Sequence, residues 1–508
     1  MKEHLEAMEE VTIKEYRETE KKLNALSNIW CNVWGAEERV RYNLCTNNND
    51  IPPLYGLRKD HKESKDEIGG PPLRPICGAV TSCNRALAYF LCQCIRPLIS
   101  SAPESCDSTE DLLARIFELN GEKKEIIIGS MDVKALYPSI DIDLATEKTC
   151  ELLEMSDIKF EGVNPIELGL FLKVIELESN IVLPSIFTPF CPTRTSNRGR
   201  KPTLVGNISK PNEKIRWSNW EKPKHIPNYI TLRKMVIFSL KYTMKYVLNN
   251  HICQYDNQLF KQKEGGAIGV SLAGDVAQTF MIWWDREFKE QLDQRGIKCL
   301  LYSRYVDDIL TAVQKTKYKG PENNALVEFQ ELMDIANSIH TSIQVTLETP
   351  GCNADGRMPI LDLKIWPENK CIDGETYTVI HHTHYSKPMA NKQVLSSHTA
   401  LDYKTKIVIL ANDLFRIMRN VSLDLPETER ILPIQVYMLR LQISGYSKTE
   451  RFKIYTRAKA RFDNVVAEYQ KGKAPLYRPN FGNSLKGLKT SLVRNMTGFV
   501  KVMIKLRL

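Results

Sequence analysis

The chain predicts an α+β fold, in which a sheet with helices packed on one face is followed by a long helical region. Three observations carry this. Short runs rich in β-branched residues, EIIIGSMDV at 125–133, LLYSRYVDDILTAV at 300–313 and IQVTLE at 343–348, alternate with stretches whose apolar residues recur every three or four positions. Beyond Lys404 the spacing is helical almost throughout. Finally, 508 residues with 43% hydrophobic and 26% charged side chains are too apolar for disorder and long enough for several packed regions.

Taken in order, Leu5, Met8, Val11, Ile13, Tyr16, Leu23 and Leu26 lie mostly three or four apart and predict one or two helices in residues 1–50. Asn47–Asp50, Pro52-Pro53 and GGPPLRP from Gly69 interrupt that pattern. LYGLRKDHK at 54–62 and LRPICGAV at 73–80 read as short extended segments with basic residues, and 84–99 returns to helical spacing. The run 125–133 predicts a buried strand that delivers Asp132 to its exit. A helix over Asp143–Met155 follows, with Asp143 near its start. Residues 156–230 include CPTRTSNRGRKPT and SKPNEKIRWSNWEKPKHIPN, a Pro-, Asn- and Lys-rich composition that reads as an inserted loop outside the core. Helices are expected over Thr231–Leu248 and from Ser271 to about Gln294, the second opened by the Gly-rich turn KEGGAIG at 263–269. Residues 300–313 then place Asp307-Asp308 at the turn of a β-hairpin. A helix over Leu326–Ser342, the strand 343–348 and a further pair, MPILDLKIW and ETYTVIHHTHYS, complete the sheet-forming part.

The charge is unevenly placed. Lys and Arg number 70 against 61 Asp and Glu, a net +9, yet residues 440–508 alone carry 16 basic and 3 acidic side chains. That segment suits a polyanion, and a solvated face of basic helices is the alternative. Acids within the first ten residues exclude a secretory leader, and the most apolar stretch, 168–187, is broken by Lys173, Glu176 and Glu178, so a soluble, intracellular protein without membrane spans is expected. The 13 cysteines include no CxxC pair, which argues against a zinc ribbon or redox dithiol. His381, His382 and His384 are expected to be ordinary strand histidines, since no third ligand type lies near them in sequence.

One acid at a strand exit and two at a hairpin turn are what a two-metal phosphoryl-transfer site needs, because hard divalent cations prefer carboxylate oxygens and neighbouring strands lie about 4.8 Å apart. An Asp-Asp pair at a turn is common on its own, since Asp is a routine turn residue. Its company decides. YVDD with the upstream MDVKALYPSI resembles motifs C and A of reverse transcriptases, QKEGGAIGVSLAGDVAQTFM resembles motif B, and LYGLRKDHK with PPLRPI resembles the fingers motifs. IQVTLE and MPILDLKIW resemble motifs D and E, so six blocks stand in the family's order over residues 51–366. The fingers block and HYSKPMANKQVLSSHTALDYKTKIVILANDLFRIMRN further resemble the Penelope-like element branch, relatives of telomerase, extending the likeness to about residue 425. A nuclease motif of the kind many such elements carry is not found in this sequence, so target cleavage is not assigned to it.

The resemblance implies a right-hand polymerase: an N-terminal helical segment (1–50), fingers (51–125), a palm with antiparallel sheet and packed helices (126–366) holding the inserted loop 156–230, and a helical thumb with a basic C-terminal region (367–508). It implies an RNA-directed DNA polymerase of a retroelement that extends a primer 3′-hydroxyl on an RNA template with dNTPs, acting in the nucleus. Asp132, Asp307 and Asp308 would be catalytic and, with the Val133 carbonyl, would hold two Mg²⁺ ions, Mn²⁺ being an alternative. Tyr137 matches the aromatic that excludes a ribose 2′-hydroxyl. Gln262, Gly265 and Gly269 match the QxxGxxMG pattern, with Ile268 in place of Met, although a helix-opening turn explains Gly265 and Gly266 equally well. Arg74, Lys59 and Lys62 would face the triphosphate, and Lys364 would contact a phosphate or donate a proton. The alternative reading is a catalytically inactive or domesticated reverse-transcriptase-like protein that binds nucleic acid without polymerising.

Overall fold

The computed structural model describes residues 2–35, 50–58, 73–196, 201, 202, 204, 220–314, 325–372, 374–387 and 394–477. Its elements begin with α1 (Lys2–Glu6), β1 (Met8–Val11), α2 (Ile13–Val33), β2 (Leu54–Arg58), β3 (Leu73–Cys77), α3 (Arg85–Ser101) and α4 (Thr109–Gly121). Next come β4 (Ile126–Val133), α5 (Leu136–Ser139), α6 (Ile142–Met155), α7 (Pro165–Ser179), β5 (Thr193–Arg194), β6 (Trp220–Glu221), α8 (Tyr229–Asn249), β7 (Ile252–Tyr255) and β8 (Gln258–Gln262). Then α9 (Ser271–Gln294), β9 (Cys299–Tyr305), β10 (Asp308–Gln314), α10 (Ala325–Ile339), β11 (Val345–Glu348), β12 (Met358–Ile360), β13 (Leu363–Ile372) and β14 (Glu375–His384) precede α11 (Tyr403–Arg419), α12 (Glu427–Ile443) and α13 (Lys448–Gln470). Two compact units share the chain, one drawing on residues up to 102 and 135–284, the other on 103–134 and 285–477.

The second unit holds the sheet β11-β4-β10-β9, antiparallel throughout. In chain order this is strand, crossover, hairpin, helix, strand, with the first and third strands central, the ferredoxin-like arrangement. An antiparallel sheet with packed helices is the α+β architecture that the sequence predicts. Three successive isoleucines, Ile126–Ile128, start β4 as β-branched residues favour. Gly129 then interrupts them because Phe329 of α10 lies against it: a Cβ there would sit 2.5 Å from the ring. Leu113 and Ile116 of α4, Ile128, Leu310, Leu363 and Ile380 form one buried cluster. Asn120 closes α4 onto the second sheet, β12-β13-β14, its amide donating to the Ile380 carbonyl at 3.0 Å and its oxygen accepting the Ile380 N–H at 2.8 Å. The helical C-terminal part is a bundle in which Leu410, Leu414 and Met418 of α11 meet Tyr437 and Leu441 of α12 and Ile454 of α13. Its third helix starts on a Ser447–Glu450 capping box.

In the first unit α2, α3, α7 and α8 pack around Trp30, which is 1% exposed. Its ring lies 5.6 Å from Phe90 and 5.4 Å from Phe171, and its Nε1 donates to Thr243 Oγ1 at 3.0 Å. Two sequence expectations are corrected here. Residues 165–179 are not loop but the core helix α7, begun by Asn164, whose side chain accepts from the N–H groups of Ile166 and Glu167, with Pro165 in the first turn. Leu168 to Leu172 are all buried, and a helix apolar on every side belongs in a core. The N-terminal segment likewise contains more than helix: Met8–Val11 is a strand paired to β8, in a sheet ordered β1-β8-β7.

Candidate active site

Asp132 near the end of β4 stands directly opposite Asp308, the first residue of β10. Directly opposed residues of an antiparallel pair project to one face with Cβ atoms about 4.5–5.5 Å apart, and like charges there repel. Asp307 precedes Asp308 in the two-residue loop between β9 and β10, and its carbonyl accepts the Val133 N–H at 3.1 Å. The structure therefore gathers Asp132, Val133, Asp307 and Asp308 at one end of the two central strands. The electrostatics agree: burial first, then the Asp307 and Asp132 carboxylates, push Asp308 up to about 6, with the Lys387 ammonium pulling it down. A carboxylate raised by its own neighbours marks a cluster short of positive charge.

The turn carrying Asp307 is strained. Val306 has φ +58°, a left-handed value that hairpin turns reserve for Gly or Asn and that is an outlier for a β-branched residue. Directly behind it lies a group that sequence reading passed over. Arg304 and Asp285 are both 0% exposed. Arg304 Nε donates to both Asp285 oxygens at 2.9 Å, Tyr302 donates its hydroxyl to Asp285 Oδ1 at 2.6 Å, and Arg304 Nη1 donates to the Val306 carbonyl at 3.0 Å. A charged residue inside an apolar strand was the available signal.

The first unit assembles the other motif residues. Gly266 N–H donates to the Tyr137 carbonyl at 2.7 Å, and Tyr137 is half-buried, its ring 3.8 Å from where a Cβ on Gly274 would be. Gly265 and Gly269 have φ +71° and +112°. A Cβ on Gly265 would lie 2.1 Å from the Pro138 carbonyl oxygen, and one on Gly269 at 2.1 Å from that of Cys77. These glycines make room for close-lying protein backbone. Cys77, whose N–H donates to the Ile268 carbonyl at 2.8 Å, ends β3, the strand on which Arg74 lies exposed opposite Leu57. Gln262 ends β8 opposite Met8, and its amide donates to the Glu264 carbonyl at 2.7 Å. Lys59 and Lys62 lie outside the described residues.

Lys364 is paired with the Asp355 carboxylate and sits 5.7 Å from the Tyr385 ring centroid, so its charge already has a partner. The histidines are packing residues: His381 and His382 are buried, and His382 Nδ1 meets the Asn420 carbonyl at 3.0 Å while burial lowers its pKa to about 4. Of the aromatics in the basic segment, Tyr446 and Tyr477 are buried and Phe452 is exposed.

The donor set at this end of β4 and β10, carboxylate oxygens on two paired strands with excess negative charge, fits a hard divalent cation. Among the described residues no group of three or more His, Cys, Asp or Glu side chains converges on a single ion. No helix of the described residues is long and apolar enough to cross a membrane.

No family model and no curated protein matches the chain. Solved structures similar to it include telomerase from Candida albicans with the TWJ fragment of telomeric RNA, at 11% identity and TM-score 0.47, covering 90% of this chain and 65% of that one. Telomerase from Candida tropicalis with the same fragment matches at 13% identity and TM-score 0.37, covering 90% and 63%. The BmCPV RNA-dependent RNA polymerase at its elongation state matches at 12% identity and TM-score 0.39, covering 84% and 29%. The chain thus spans just under two thirds of these telomerase chains.

Proposed function

We propose that the chain is an RNA-directed DNA polymerase of a retroelement, of the Penelope-like type, extending a DNA primer 3′-hydroxyl along an RNA template with dNTPs. The observation that carries this reading is the register of Asp132 against Asp308, with Asp307 in the adjoining turn. Asp132, Asp307 and the Val133 carbonyl would hold two Mg²⁺ ions, and Asp308 would assist. Bound there, the ions would supply charge stabilisation for in-line phosphoryl transfer. The chain's own part is to keep three carboxylates at one end of a rigid sheet despite their repulsion. Arg74, exposed on β3, would contact the triphosphate, and Tyr137 would exclude a ribose 2′-hydroxyl.

Primer extension on RNA and on DNA templates, with Asp307→Asn beside the wild type, tests the reading. Incorporation of dNTPs by the wild type and its loss in the variant is the expected result. No incorporation under conditions in which a control enzyme works, together with unchanged nucleic-acid binding by Asp307→Asn, would favour the non-catalytic binder.

A further inference from the structure

Arg304 and Asp285 form an ion pair fully removed from water, with Arg304 Nη2 2.9 Å from Asp285 Oδ2. Desolvating two charges costs several kcal/mol per ion before their attraction offsets it, and apolar pairs of similar volume often serve stability equally well. Stability alone is therefore a weak reason for this pair. The fourth contact supplies another. Nη1 donates at 3.0 Å to the carbonyl of Val306, the residue whose φ of +58° carries the turn's strain. Non-glycine residues persist in such conformations where the surroundings over-determine them. Arg304 is well placed to do so. Its own backbone is clamped, with its N–H donating to the Glu104 carbonyl at 3.0 Å and its carbonyl accepting from the Cys106 N–H at 2.8 Å. Its guanidinium is fixed by Asp285, which Tyr302 also holds.

We propose that Arg304, oriented by Asp285, is a positioning residue for the metal-binding turn: its bond to the Val306 carbonyl keeps Val306 left-handed and so sets the direction in which Asp307 presents its carboxylate. This rests on the polymerase reading above. A Lys at this position keeps the charge but loses the planar fork that serves Asp285 and the Val306 carbonyl together.

The test compares wild type, Arg304→Lys and the apolar double variant Arg304→Met/Asp285→Leu, which keeps the volume without a buried charge. Each is measured for Mn²⁺ binding by electron paramagnetic resonance, thermal midpoint, and kcat and KM for dNTP. Loss of a group that orients metal ligands typically costs 10–100-fold in metal affinity or activity. The expected result is Mn²⁺ affinity about tenfold weaker and kcat lower by roughly 10–100-fold in both, with KM for dNTP little changed and the double variant melting as the wild type does. Adding Val306→Gly to Arg304→Lys should restore part of both losses, because glycine adopts the left-handed turn without being held there. Wild-type Mn²⁺ affinity and kcat in a folded double variant would overturn the proposal, as would losses that follow the thermal midpoint alone. A wild type that incorporates no dNTP overturns the polymerase reading, while the Mn²⁺ titration still decides whether Arg304 orients the carboxylates.

Discussion

Replacing Asp308 by Asn should stabilise the metal-free protein while abolishing its chemistry. In the folded chain Asp308 is pushed up to about 6 by burial and by Asp307 and Asp132, against an ordinary value of 3.8. Between those two values the folded state holds more proton than the unfolded one, so stability falls as pH rises from about 4 through 6. Two pH units correspond to about 3 kcal/mol, which partial contact with water reduces to ~1–2 kcal/mol. Asn removes the charge and keeps the shape. Urea unfolding in EDTA should therefore find Asp308→Asn more stable than wild type by ~1–2 kcal/mol at pH 7.5 and nearly equal to it at pH 4, at unchanged m-value. Added Mg²⁺ should narrow the gap at pH 7.5, because a cation that binds only the folded chain stabilises the wild type preferentially. A variant no more stable than wild type at pH 7.5, or a gap that is the same at both pH values, would show that the three carboxylates do not strain that end of the sheet.

Asp132→Asn should lower dNTP incorporation by about 10³-fold, while filter binding of primer–template stays within about twofold of wild type. Gly265→Ala forces a Cβ to 2.1 Å from the Pro138 carbonyl at φ +71°, and should cost ~2–4 kcal/mol in urea unfolding. Asp362 accepts from Thr109, Arg416 and Asn420, the last at 2.9 Å, and so joins the β12–β13 turn to α4 and α11. Asp362→Asn should cost ~2 kcal/mol, read as faster amide exchange in the first turn of β13 and the end of α11.

What was legible in the sequence follows the physics of each element. β4 announces itself because three β-branched residues end in an acid, and the β9–β10 hairpin because Asp307 and Asp308 interrupt two apolar runs. Helix α9 was found at both ends, since the glycine turn before Ser271 and the loss of apolar period after Gln294 are local signals. Helix α7 is masked by its surroundings, since residues 156–230 as a whole are rich in Pro, Asn and Lys. Its own core, LGLFL at 168–172, is apolar on all sides and shows no face for a periodicity argument to find. Strand β1 is four residues, MEEV, whose pattern is buried only at its ends, and nothing in it foretells a partner some 250 positions away.

The site divides along the same line. The grouping of the carboxylates is legible because a strand exit and a hairpin turn each end in acids, whereas Arg304, three residues before Asp307, carries no such rule. A buried guanidinium needs a partner, and the partner, Asp285, sits on a helix whose exposed surface also bears acids such as Glu290. Only the fold distinguishes the acid that meets Arg304 from those that meet water. The strain at Val306 is legible only in hindsight for a similar reason. Tyr-Val-Asp-Asp contains no glycine, and the Asp residues that tolerate a left-handed backbone follow Val306, so turn propensity alone would not place the left-handed residue at the β-branched valine. The sheet register does, because pairing Tyr305 with Asp308 leaves two residues to reverse the chain. A turn forced by register and held by a buried arginine presents Asp307 at the cost of local strain, as expected where the fold must hold like charges together.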